Sequence, residues 1–108
     1  MKLNIKPLSV NQCWAGRRFK TPEYKVYENA VLFLLPKFKL PEPPYEIYFK
    51  FGFSSRASDF DNPVKPMTDI LQKKYGFDDK LIQKAIIEKT LVPKGSEFIE
   101  WGLIHFEQ

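Results

Sequence analysis

One cysteine and one histidine are all that this 108-residue chain carries of those two types. Cys13 has no partner for an intrachain disulfide, and with His105 it falls short of the ligand set of a structural zinc site. A reducing compartment, the cytoplasm, is the expected setting. The five glycines, Gly16, Gly52, Gly76, Gly95 and Gly102, are scattered. No glycine-rich loop can therefore cradle a nucleotide phosphate, and no nucleotide cofactor is expected. The longest apolar run, Ala30 to Leu35, is far too short to span a bilayer, and residues 1–6 are too polar for a signal peptide, so no membrane association is expected. Neither a repeat nor a low-complexity stretch is present.

Aromatic residues, by contrast, make up 16% of the chain, ten of them Phe, within a hydrophobic fraction of 44%. That composition predicts a packed core, and the length predicts one domain over residues 1–108. The net charge of +4 suits a polyanionic partner. Lys2 to Lys6 alternates as a short first strand ended by Pro7. Residues 8–20 show no period and hold Asn11, Gln12, Trp14, Arg17, Arg18 and Lys20, a polar, basic and aromatic loop suited to a phosphate backbone or to stacking on bases. Asn11, Trp14, Arg17, Arg18 and Lys20 are the expected DNA contacts.

Thr21-Pro22 is a helix start, with Thr as cap and Pro at the first helical position. Tyr24, Tyr27, Val31, Leu34 and Leu35 mark its buried face, and Pro36 ends it. After a proline-rich connector, Tyr45, Ile47, Phe49, Phe51 and Phe53 alternate with polar or small residues, the strongest strand pattern in the chain. A second helix is expected with Asn62 as cap, Pro63 at its first position, Val64, Met67, Leu71 and Tyr75 as its stripe, and Gly76 as terminator. Residues 81–90 read as a strand because Ile86 and Ile87 are β-branched. Residues 92–96 form a turn, and residues 98–106 an aromatic strand expected to hairpin with the preceding one. The order β-α-β-α-β-β predicts an α/β fold, a mixed β-sheet with helices packed on it.

The chemistry concentrates between residues 59 and 79. Asp59, Asp61, Asp78 and Asp79 sit at or beside loop positions, where carboxylates can gather without unpaired burial. An all-oxygen set suits Mg²⁺, which is held by one or two carboxylates together with water and phosphate oxygens. Lys65 lies four residues beyond Asp61, within reach of a phosphate, and one helical turn before Asp69. Asp59 and Asp61 alone would serve equally well as a helix cap or an Asx turn. Together with Lys65 and the later pair they predict a metal-assisted phosphodiester site. Asn62, Asp69 and Asp78 are the supporting residues. His105 stands apart from this cluster, and Cys13, although in a basic loop that would lower its pKa, has no histidine beside it.

Asp59-Phe60-Asp61-Asn62, then Lys65, Asp69 and Asp78-Asp79 before an apolar strand, resembles the RusA-type crossover-junction endodeoxyribonucleases, the Holliday junction resolvases of phage and prophage origin. The resemblance is best over residues 58–90. It implies that Asp59, Asp61 and Asp79 ligate Mg²⁺ and that Lys65 joins them as a catalytic residue. Pro63 and Pro66, which bracket Lys65, depart from the family's plain helix. The implied activity is Mg²⁺-dependent cleavage of four-way junction DNA by paired cuts in recombination and repair. A two-fold junction in turn implies a homodimer. The same residues would serve a flap or fork nuclease, and a structural acidic cluster would leave a non-catalytic branched-DNA or single-strand binding protein.

Overall fold

The computed structural model describes residues 1–15 and 19–107. Its strands are β1 (Lys2–Leu3), β2 (Trp14–Ala15), β3 (Phe19–Lys20), β4 (Tyr45–Phe53), β5 (Ile82–Leu91) and β6 (Phe98–His105); its helices are α1 (Pro22–Leu34) and α2 (Val64–Tyr75). Four strands form one mixed sheet in the order β1-β6-β4-β5, and β2 pairs with β3 in a separate short ladder. β4 is parallel to β5 and antiparallel to β6. The α/β class predicted from the pattern is therefore the observed one. Among the described residues no helix is long and apolar enough to cross a membrane.

The expected β5–β6 hairpin does not form. β6 lies on the far side of β4, pairing Gly52 with Phe98 and Tyr45 with His105. The side chains explain the exchange: Ile99, Trp101 and Leu103 are buried on β6, whereas β5 carries Gln83, Lys84, Glu88 and Lys89 and stays largely exposed. A charged strand is best tolerated at a sheet edge, and an apolar one inside. Val92 N–H donates to Phe53 O at 2.7 Å as the chain leaves β5 beside the end of β4. Gly52 is needed at the entry to β6, because a Cβ there would collide with the Phe98 ring.

On β4 the residues Tyr45, Ile47, Phe49, Phe51 and Phe53 are buried, with Val31 of α1 and Met67, Ile70 and Leu71 of α2 in the same core. Thr21 caps α1 as predicted, its Oγ1 accepting from Tyr24 N–H at 3.1 Å, with Pro22 at the first position. The helix stops at Leu34 because Leu35 precedes Pro36 and is held in extended backbone (φ −71°, ψ 126°). Gly76 closes α2 in the left-handed region (φ 74°). At the start of α2 the sequence expectation fails. Pro63, not Asn62, is the flanking residue, and Asn62 makes no cap but donates from Nδ2 to Asp59 Oδ2 at 3.4 Å. Pro66 fits within the first helical turn, where a missing N–H leaves no ladder bond unmade, and Met67 N–H starts the ladder on Pro63 O at 3.1 Å.

Glu28 ties three elements together. It is only 8% exposed, and accepts from Lys20 Nζ of β3 at 3.2 Å and from Lys73 Nζ of α2 at 3.1 Å. Burial pushes its carboxyl up, but the hydrogen bonds from Lys73 and Lys20 outweigh burial and hold it below the ordinary value of 4.5. A depressed carboxylate stabilises the fold above its unfolded pKa, and that stability is lost as pH falls through the folded value. Glu28→Gln is expected to cost roughly 1–3 kcal/mol at pH 7, less than a fully buried pair because both lysines reach solvent. Urea denaturation of both proteins should show this gap narrowing below about pH 4.5.

Candidate functional site

Three of the predicted residues meet in one place. Asp61 in the turn before α2, Lys65 in its first turns and Asp79 just before β5 line an open groove of about 490 Å³, floored by Ile47, Ile82, Ala85 and Ile87. Local structure accounts for each position. Asp61 O accepts from Val64 N–H at 3.0 Å as the turn passes into α2. Asp78 caps a short 3₁₀ helix, Asp79–Leu81, its Oδ1 accepting from Lys80 N–H at 3.0 Å. The cap leaves Asp79 half-buried at the groove and Asp78 outside it.

Lys65 is exposed and donates from Nζ to Asp69 Oδ1 at 2.8 Å, the one-turn pairing expected from the sequence. The hydrogen bond to Asp69 raises the Lys65 pKa above its ordinary value; slight burial works against this, and the charges of Asp69 and Asp79 add to the rise. The ammonium is thus charged throughout the physiological range. Gln72, which the sequence reading did not single out, completes the row. Its Nε2 approaches Asp69 Oδ1 at 3.5 Å and its Oε1 accepts Asp79 N–H at 2.9 Å. The signal was the spacing: residues 65, 69 and 72 recur on one helical face.

Asp59 lies elsewhere. Its side chain is exposed and lines a separate pocket of about 260 Å³, together with Ser9, Gln12, Ser58, Asn62 and Glu97. Among the described residues no group of three or more His, Cys, Asp or Glu side chains is placed to hold a metal ion. The expected three-carboxylate set is therefore split, with Asp61 and Asp79 at the groove and Asp59 in the pocket next to it. Like charges have no reason to converge without a cation between them. Two carboxylates on one groove are compatible in number with what Mg²⁺ takes from a protein, the rest coming from water and phosphate. No protein-family model matches the chain, and no curated protein matches it at a significant level.

In the predicted DNA-contacting loop, Arg17 and Arg18 lie outside the described residues, as does the side chain of Trp14. Asn11 is exposed in a 3₁₀ turn, Val10–Gln12, held by a capping box between Ser9 and Gln12. Lys20 is bound to Glu28 and sits 5.1 Å from the Tyr24 ring centre. Cys13 departs from the expectation of a lowered pKa: it is fully buried, its Sγ donates to Ser9 O, and burial pushes the thiol up to about 11, with the charge of Asp69 adding. His105 donates from Nδ1 to Glu42 O at 2.8 Å and lines neither cavity.

A second residue missed in the sequence is Lys89. From β5 its Nζ reaches Ser58 O at 2.5 Å and Arg56 O at 3.5 Å, fastening the loop that leads to Asp59. Lys89→Met is expected to raise amide hydrogen exchange at Ala57, Ser58 and Asp59 by about tenfold. Global stability should fall by no more than about 1 kcal/mol, the worth of one exposed hydrogen-bonding contact. Unchanged exchange would show that the loop holds itself.

Proposed function

We propose that this chain is a Mg²⁺-dependent, structure-specific endodeoxyribonuclease that resolves four-way DNA junctions. The observation that carries the reading is the groove lined together by Asp61 and Lys65, from around the start of α2, and Asp79, from the segment before β5. The RusA-like order of these residues and the net charge of +4 support the same reading. Asp61 and Asp79 would hold the ion, with Asp59 on the adjoining loop. Bound there, Mg²⁺ supplies polarisation of a phosphate oxygen and activation of a water.

The remaining work falls to the chain's own groups. Lys65 presents a fixed positive charge to the phosphate, where negative charge builds as the bond breaks. Asp69 aims Lys65 along the helix face and keeps it protonated, and Gln72 fixes the backbone that carries Asp79. The apolar floor of Ile82, Ala85 and Ile87 offers a dry contact for the sugar faces of the strand. Two matched cuts require two copies of the groove, so the active species is a homodimer, working in the cytoplasm where its DNA resides.

The test is a panel of four-way junction, flap, fork, single-stranded and linear duplex DNAs, each with Mg²⁺ or with chelator. Junction cleavage that needs Mg²⁺ is expected, alongside sedimentation as a dimer. Preferential cutting of flaps or forks would assign the groove to that substrate class. Junction binding without cleavage in Mg²⁺ would make the chain a binding protein with a structural acidic cluster.

A further inference from the structure

Apart from Asp59, the residues of the pocket beside the groove have no part in the chemistry above. The pocket lies between the N-terminal segment around Ser9 and Gln12, the loop after β4, and Glu97 before β6. Its walls are tied together: Val10 N–H donates to Asn62 O at 2.9 Å, and Lys89 fastens Ser58 from the other side. The cavity is thus preformed and does not depend on a loop closing.

We propose that this pocket takes one unstacked nucleotide of the DNA strand next to the bond that is cut; the assignment rests on the nuclease reading above. Four observations converge on it. The first is position, since the pocket and the groove are reached from one loop by residues two apart, Asp59 lining one and Asp61 the other. A strand with its phosphate at the groove can continue along this loop toward the pocket. Phe60, between those two residues, is the second observation. It is 53% exposed, an aromatic left in solvent on the loop that borders the pocket and free to stack on a base.

Size is the third observation. At about 260 Å³ the cavity falls just below the roughly 300–1,000 Å³ of drug-sized ligand sites, a size for a single base and too small for a duplex. The fourth is the chemistry of the lining. Lys6 is outnumbered by Asp59 and Glu97, so a phosphate is repelled and a neutral base is admitted. Glu97 is a fixed acceptor, held by Ser54 Oγ at 2.8 Å and Gly95 N–H at 2.8 Å. Gln12 Nε2 and Ser58 Oγ make no hydrogen bond among the described residues and are left to pair with a base edge.

Each of the four deoxynucleoside 5′-monophosphates, titrated without Mg²⁺ into the isotopically labelled full chain, tests this by nuclear magnetic resonance. Saturable shifts of the Gln12, Ser58 and Gly95 amides are expected, with a dissociation constant on the order of 1 mM for at least one nucleotide. Ser58→Trp, which fills the cavity, should abolish them. Phe60→Ala should weaken binding by about tenfold, the low end of the loss of one stacked base. Phe60 is exposed, so that variant decides the matter even if Ser58→Trp does not fold. Absence of saturable shifts in the wild-type protein, or binding that Phe60→Ala leaves unchanged, overturns the assignment. Nucleotide binding is read without cleavage, so the two readings fail separately. A chain that cuts junctions but binds no nucleotide loses only the pocket, and one that binds nucleotides but cuts nothing loses only the nuclease.

Discussion

Asp61→Asn and Asp79→Asn should each reduce junction cleavage by at least about 10²-fold, while junction affinity in Ca²⁺ or chelator stays within about threefold. Both carboxylates line the groove, and among the described residues neither is in an ion pair with a lysine. Each replacement keeps the shape and removes the negative charge that a hard cation requires. Asp59→Asn is expected to follow them in kind. Because Asp59 faces the neighbouring pocket, its variant should be the one most improved by raising Mg²⁺. Asp78→Asn is the control: as the cap of a 3₁₀ turn it should cost well under 1 kcal/mol, Asn being a comparable cap, and leave cleavage intact. Single-turnover cleavage against Mg²⁺ concentration separates these outcomes. Native rates for Asp61→Asn at saturating Mg²⁺ would take the metal away from the groove.

Lys65→Ala carries the second large effect. If its ammonium steadies charge on the phosphate, cleavage should fall by roughly 10²-fold or more with fold and junction affinity nearly unchanged. The alternative is written in the same geometry, an exposed one-turn pair with Asp69 at 2.8 Å. Such pairs contribute less than about 1 kcal/mol to stability, and a purely structural Lys65 would leave turnover alone. Lys65→Arg should be impaired as well, since a planar fork replaces a compact charge between Pro63 and Pro66, both buried. The Lys65 pKa is raised, so between pH 6 and about 9 its charge contributes no slope to the rate. A rate that falls across that interval with the pKa of an amine, or near-native cleavage by either variant, would remove Lys65 from the chemistry.

The sequence exposed the parts whose signals are local. The alternation from Tyr45 to Phe53, Thr21 with Pro22, and Gly76 each act through their immediate neighbours, and each stands where it was expected. What was not legible depends on choices between distant partners. The Val92–Ser96 turn suits a hairpin, yet the contrast between charged β5 and apolar β6 decides which strand takes the inner position. Asn62 looks like a cap until Pro63 pushes the first helical residue on to Val64. At the site, Lys65 and Asp69 were readable because one helix sets their spacing. The division of Asp59 from Asp61, the hold of Gln72 on Asp79 and that of Lys89 on Ser58 arise across elements, where periodicity carries no signal.

Among the described residues β5 pairs on one side alone, with β4, so a ten-residue strand presents an open hydrogen-bonding edge. Such an edge is a template for other chains, and Leu81, Ile86 and Leu91, each 38–48% exposed, would welcome one. Lys84 and Lys89, set among these apolar positions, act as gatekeepers by charge repulsion between neighbouring molecules. Lys84→Gln together with Lys89→Gln would remove that repulsion while leaving the chain's other charges in place, and the resulting loss should be colloidal: precipitation on concentration from molecules that are still folded.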